Sequence, residues 1–115
     1  MRILVCGGRE WNNAARILAR LAPLGPGHTI VHGAARGADT LAGHAAHSLG
    51  LTVETFPADW NKHGKKAGIL RNLQMLDTKP DLVIAFHPSI ETSKGTGHTV
   101  KEARRRGIPV EVIAS

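Results

Sequence analysis

Asp81-Leu82-Val83-Ile84-Ala85-Phe86 runs apolar from its second residue and ends at the polar stretch His87 to Gly95. A short run of β-formers without polar alternation reads as a strand buried on both faces, as in parallel sheets. The pattern recurs along the chain. Met1 to Cys6 stops at Gly7-Gly8, Thr29-Ile30-Val31-His32 at Gly33 and Leu51 to Phe56 at Pro57, while Ile108 to Ile113 comes last. Between these runs, apolar residues recur at helical spacing. One set is Ala14, Ile17, Leu18 and Leu21, after a cap at Asn12 or Asn13 and before Pro23. A second is Ala38, Leu41, Ala42, Ala45 and Leu49, between Gly37 and Gly50; a third is Ile69, Leu70, Leu73 and Leu76. A fourth helix is expected over Gly97–Arg106, with Thr96 as its cap, and Pro57 to Gly68 reads as a polar loop.

The order β-α-β-α-β-α-β-α-β predicts an α/β fold. It is a Rossmann-like doubly wound parallel sheet of about five strands with helices on both faces, in an order such as 3-2-1-4-5. A length of 115 residues predicts one domain, 1–115. Trp11, Trp60, Phe56 and Phe86 are the only aromatics, so Ala, Leu, Ile and Val are expected to supply most of the core. Cys6 is the single cysteine, which excludes an internal disulfide and points to inert packing in a reducing compartment. No apolar run approaches the roughly 20 residues of a membrane span. The expectation is a cytoplasmic protein without a membrane partner. A net charge of +6 favours anionic partners.

In open α/β sheets ligands bind beyond the carboxyl ends of the strands, near the point where strand order reverses. Three post-strand loops therefore carry the functional reading. Gly7-Gly8-Arg9 places close-approach glycines and a forked donor before a helix, a fit for phosphate; the plainer alternative is a tight turn with a solvated arginine. Gly33-Ala34-Ala35-Arg36-Gly37-Ala38-Asp39 reads as an amide-lined nest for an anion. There Asp39 reaches a ribose hydroxyl, pairs with Arg36 or complements the helix dipole. Lys94-Gly95-Thr96-Gly97 offers a lysine and free amides beside the expected switch point. Asp59 to Asn72 is dense in polar groups: Trp60 either stacks on a base or, as the plainer reading has it, fills the core, and Arg71-Asn72 reaches phosphate or sugar. His44 and His47 have zinc-ligand spacing without a third ligand, so no metal and no cofactor is expected. Arg104-Arg105-Arg106 suits a helix end, with nucleic-acid contact as the sharper alternative.

Taken in order, these loops resemble the YspA/YpsA-related branch of the SLOG superfamily, small proteins often encoded by phages and bacteria. The resemblance rests on Gly7-Gly8-Arg9-x-Trp11, Val31-His32-Gly33-x-Ala35-Arg36-Gly37-Ala38-Asp39, Phe56-Pro57-Ala58-Asp59-Trp60 and Gly64-Lys65-Lys66-Ala67-Gly68. It continues through Arg71-Asn72-x-x-Met75, Asp81–Phe86 and Lys94-Gly95-Thr96-Gly97-His98. The superfamily unites DNA-processing protein A with the Lonely Guy phosphoribohydrolases. The resemblance implies a Rossmann-like fold that binds a nucleotide or nucleotide-derived ligand as a sensor or sequestering protein. It also implies a homo-oligomer. Arg9, Arg36, Lys94 and the amides of Gly33, Gly37, Gly95 and Gly97 would hold phosphate; Asp39, Trp60, Arg71 and Asn72 would contact sugar or base. The first alternative is a nucleotide N-glycosidase. Arg71 looks like the arginine of the Lonely Guy enzymes, but Thr99 stands where their P-G-G-x-G-T-x-x-E motif has its glutamate, and the P-G-G is absent. Glu102, one helical turn further on, or Asp39 would then be the catalytic carboxylate, with Arg71 orienting phosphate. The second alternative is binding of single-stranded nucleic acid, as in DNA-processing protein A, with which Ala35-Arg36-Gly37-x-Asp39 is shared.

Overall fold

A computed structural model describes residues 1–115. Five parallel strands stand in the order β3-β2-β1-β4-β5, the doubly wound arrangement read from the sequence. They are β1 (Arg2–Gly7), β2 (Thr29–His32), β3 (Thr52–Thr55), β4 (Leu82–Phe86) and β5 (Val110–Ile113). The main helices are α1 (Ala14–Leu21), α2 (Ala38–Ser48), α4 (Ala67–Asp77) and α5 (Gly95–Arg105), with a single turn, α3 (Trp60–His63), before α4. No helix is long and apolar enough to cross a membrane.

The apolar runs of the three central strands, β1, β2 and β4, have a direct structural cause: each buries both faces, whereas the edge strands β3 and β5 carry polar and partly exposed residues. Ile3, Val5, Ile30, Ile84 and Phe86 pack with α1 and α2 on one side. Leu4, Cys6, Val31, Val83 and Ala85 pack with α4 and α5 on the other. Alternate residues therefore serve different cores, and a polar residue at either parity would be buried. Two of the scarce aromatics meet in the first core, where the Trp11 and Phe86 rings lie 5.5 Å apart at 60°.

Three local expectations are corrected. The stretch Pro57 to Gly68 is largely helical: Asp59 accepts from the Lys62 amide at 3.1 Å, which starts α3, and a 3₁₀ turn (Gly64–Lys66) leads into α4 two residues before Ile69. The last helix begins at Gly95, so Thr96 lies in its first turn and is not its cap. The capping oxygen is Ser93 Oγ, which accepts from the Thr96 amide at 3.1 Å. Trp60 is no core residue, being 51% exposed at the start of α3.

The strand ends are drawn together by two glycines. A Cβ on Gly7 would lie 2.5 Å from the Ala38 Cβ, so only glycine lets α2 reach the end of β1. Gly37 has φ +79°, and a Cβ there would lie 2.6 Å from the Arg9 carbonyl oxygen. Between them the Ala38 amide donates to the Gly8 carbonyl at 3.1 Å, joining the loops that follow β1 and β2.

Candidate functional site

β1 lies between β2 and β4, so the chain changes direction across the sheet between β1 and β4. A cavity of about 340 Å³ opens there, beyond the carboxyl ends of both strands. Its wall takes Gly7, Gly8 and Arg9 from the loop after β1, Asp39 from α2, Arg71 and Asn72 from α4, and His87 from the end of β4. Lys94, Gly95, Thr96 and Thr99 complete it from α5 and the residue before it. A neighbouring cavity of about 630 Å³ shares Arg9, Ala35 and Arg71 with the first and adds Gly33, Arg36 and Trp60.

Arg71 stands between the two. Its Nη1 donates to the Gly33 carbonyl at 2.6 Å and its Nε to Asn72 Oδ1 at 2.9 Å. Gly33 is required for this seat, because a Cβ there would lie 2.7 Å from the Arg71 Cζ. Asn72 is buried and its Nδ2 donates to the Gly95 carbonyl at 3.3 Å, so it links α4 to the start of α5. No carboxylate bonds the guanidinium, and Nη2 is without a partner in the chain. Burial holds the Arg71 pKa below its ordinary value, and nearby Asp39 opposes that fall.

Asp39, 6% exposed, is the one carboxylate on the wall of the central cavity. Its Oδ2 accepts from the amides of Gly33 at 2.9 Å and Ala35 at 3.3 Å, while Oδ1 has no partner. This corrects the reading of the loop after β2. The nest is real, but the chain's own carboxylate fills it, and the Ala34 amide is taken by His32 Nδ1 at 3.0 Å. The Gly33 amide is thus not free for a ligand, and Gly37 lines neither cavity.

Burial is the largest influence on Asp39 and lifts its carboxyl above the ordinary carboxylate range, against the pull of the Ala35 and Gly33 amides and of Arg71. A raised folded-state pKa means the folded protein holds the proton more tightly, so acidification through that pKa adds stability until the unfolded value is passed. Glu54, Glu102 and Glu111, held low by Arg2, Arg105 and Arg20, act in the opposite sense. Comparison with Asp39→Asn isolates the one group. Urea unfolding should show the parent gaining stability relative to this variant as the pH falls from neutral toward the ordinary carboxylate range, about pH 4. A flat or reversed difference would refute the assignment.

Other expected site residues are not brought to the central cavity. Arg36 is exposed and paired with Glu10 at 2.8 Å, because the turn that seats Asp39 sends the arginine outward to the rim of the second cavity. Gly97 lies behind the wall; a Cβ there would meet the Ile90 carbonyl at 2.8 Å, so its role is packing. Glu102 faces away, its carboxylate taking Arg105 Nη2 at 2.9 Å and Nε at 3.1 Å, with Arg106 Nε at 3.7 Å. One turn along α5 from Thr99 has rotated it off the cavity. Cys6 touches the wall, and burial, reinforced by Asp39, pushes its thiol pKa up, so it stays protonated. His44 and His47 flank a separate cavity with His32, and no three metal-ligating side chains are grouped to hold an ion.

The sequence reading gave His87 no role and Ser93 none beyond its place at the head of the Lys94-Gly95-Thr96-Gly97 stretch; the available signal was position, in the loop immediately after β4.

Residues 1–63 match the family model described as YAcAr, the YspA, cpYpsA-related SLOG family. The Gene 61 protein of Mycobacterium phage D29 is 40% identical over 118 residues, covering 95% of this chain and 93% of the relative. No solved structure matches the chain. The doubly wound sheet, the strand-end cavity and the paired glycine loops accord with these matches, and the chain belongs to the YspA, cpYpsA-related SLOG family.

Proposed function

We propose that the protein binds a nucleotide or nucleotide-derived ligand, with a phosphate in the central cavity, and acts as a sensor or sequestering protein. The observation that carries this is an excess of unused donors. Arg9 and Lys94 make no side-chain bond, Arg71 Nη2 is free, and the Gly95 amide, in the first turn of α5, has no partner in the chain. Against them stands one open carboxylate oxygen, Asp39 Oδ1. A phosphate group presents mainly acceptors at neutral pH, and forked guanidinium donors and helix-start amides suit it. Asp39 Oδ1 then suits a hydroxyl of the same ligand, and the exposed Trp60 ring in the adjoining cavity suits a base.

Thermal-shift and calorimetric titration with nucleoside monophosphates, NAD, ADP-ribose and cyclic nucleotides tests this. Stabilisation by at least one is expected, and none at concentrations far above micromolar overturns it. Gly33→Ala sharpens the test. The substitution keeps an ordinary backbone but displaces Arg71, so binding should weaken roughly tenfold while the melting temperature of the free protein holds.

One observation favours the hydrolase alternative: Asp39 Oδ1 is an unpartnered carboxylate oxygen on the cavity wall. Release of free base from a nucleoside monophosphate, lost in Asp39→Asn, would establish it.

A further inference from the structure

Resting on that phosphate reading, we propose that His87 is a ligand-contacting residue, whose Nε2–H donates to an anionic oxygen of the bound molecule. His87 follows the last residue of β4, and its own amide donates to the Ile113 carbonyl at 3.0 Å, so its backbone is fixed by β5. The Ser89 amide donates to Nδ1 at 2.9 Å, which makes Nδ1 the acceptor and leaves the proton of the neutral ring on Nε2. Gly8 leaves the ring room on one side: a Cβ there would lie 3.2 Å from His87 Cδ2 and 3.6 Å from Nε2, close enough to crowd the imidazole.

Nε2 has no partner in the chain, and the residue walls both the central cavity and a third cavity of about 480 Å³ bordered by Arg9 and Trp11. It is a donor held in one tautomer and one orientation, at the mouth of a cavity whose other free groups are mostly donors. Such prior fixing removes the ordering cost of a hydrogen bond to a ligand. An uncharged donor beside Arg9, Arg71 and Lys94 adds direction where those cations add attraction.

The competing account is that His87 only closes the turn through Ser89. Two substitutions separate the accounts. His87→Asn keeps an oxygen near the Nδ1 position for the Ser89 amide but removes the Nε2 donor. His87→Gln carries an amide N–H to the Nε2 position and gives up the turn bond. With adenosine 5′-monophosphate and inorganic phosphate as probes, the Asn variant should melt like the parent yet bind roughly tenfold more weakly, and the Gln variant should recover most of that loss. In the parent, the nitrogen NMR signal of His87 Nε2 should move on adding phosphate while that of Nδ1 stays. An Asn variant that binds like a binding parent, or an unmoved Nε2 signal at saturation, overturns this assignment alone. A parent that binds neither probe nor any nucleotide of the panel above overturns the phosphate reading, and this with it; where only another member of that panel binds, that nucleotide replaces the two probes in the same comparison.

Discussion

Arg71→Ala should weaken binding of a nucleoside phosphate by roughly 10- to 100-fold, the range set by the ~1.5–3 kcal/mol of a hydrogen bond to a charged group. The residue has the features that make such a bond strong. Its guanidinium is half-buried, two of its donors are held by Gly33 and Asn72, and the remaining Nη2 belongs to a side chain shared by two cavities. Burial already acts against its charge, and no carboxylate bonds it, so an incoming anion would supply the missing partner. The free protein should lose less than the complex, because the two bonds given up run to neutral acceptors and their loss is offset by relief of that desolvation. Arg105→Ala is the matched control, since Arg105 pairs with Glu102 away from the cavity. Calorimetric titration of both variants decides the matter: equal affinities would remove Arg71 from the site.

Phe86→Ala should have the largest effect on stability, about 3–5 kcal/mol in urea unfolding with an unchanged slope. Phe86 is fully buried at the end of β4, and its ring packs against Trp11. The other side chains of this core are already buried and packed, so the space left behind closes only in part. In a domain whose whole stability is of the order of 5–15 kcal/mol, this loss approaches unfolding at physiological temperature. The backbone there matters to the site as well: the Phe86 carbonyl accepts from the Gly8 amide at 2.9 Å and so anchors the loop that carries Arg9. Any folded Phe86→Ala protein should therefore bind nucleotide more weakly too. A loss below about 1 kcal/mol would contradict the packing described here.

That Asp39 belongs at the strand-end cavity was legible in its position after a strand and a glycine turn; that it fills its own nest was not. The amides of Gly33 and Ala35 read as free because a sequence shows donors without their acceptors. Likewise Arg36 and Arg71 look alike as cations near glycines. Helix register and the turn at Gly37 send one outward to Glu10 and the other inward to the Gly33 carbonyl. Glu102 and Thr99 differ by less than one helical turn, yet only Thr99 reaches the cavity.

Strand type, strand number and the wall loops follow from local chemistry alone. A strand buried on both faces needs an unbroken apolar run, a parallel crossover needs a helix between strands, and close approach at a strand end needs glycine. Those requirements act within a few residues and leave their mark in the order of the chain. Which donors stay free is decided between elements remote in sequence. Arg71 meets Gly33 across 38 positions, and Asn72 meets Gly95 across 23. Only the folded sheet sets those distances, so the loops that wall the pocket were readable in advance, and which of their residues line it and where each polar group points were not.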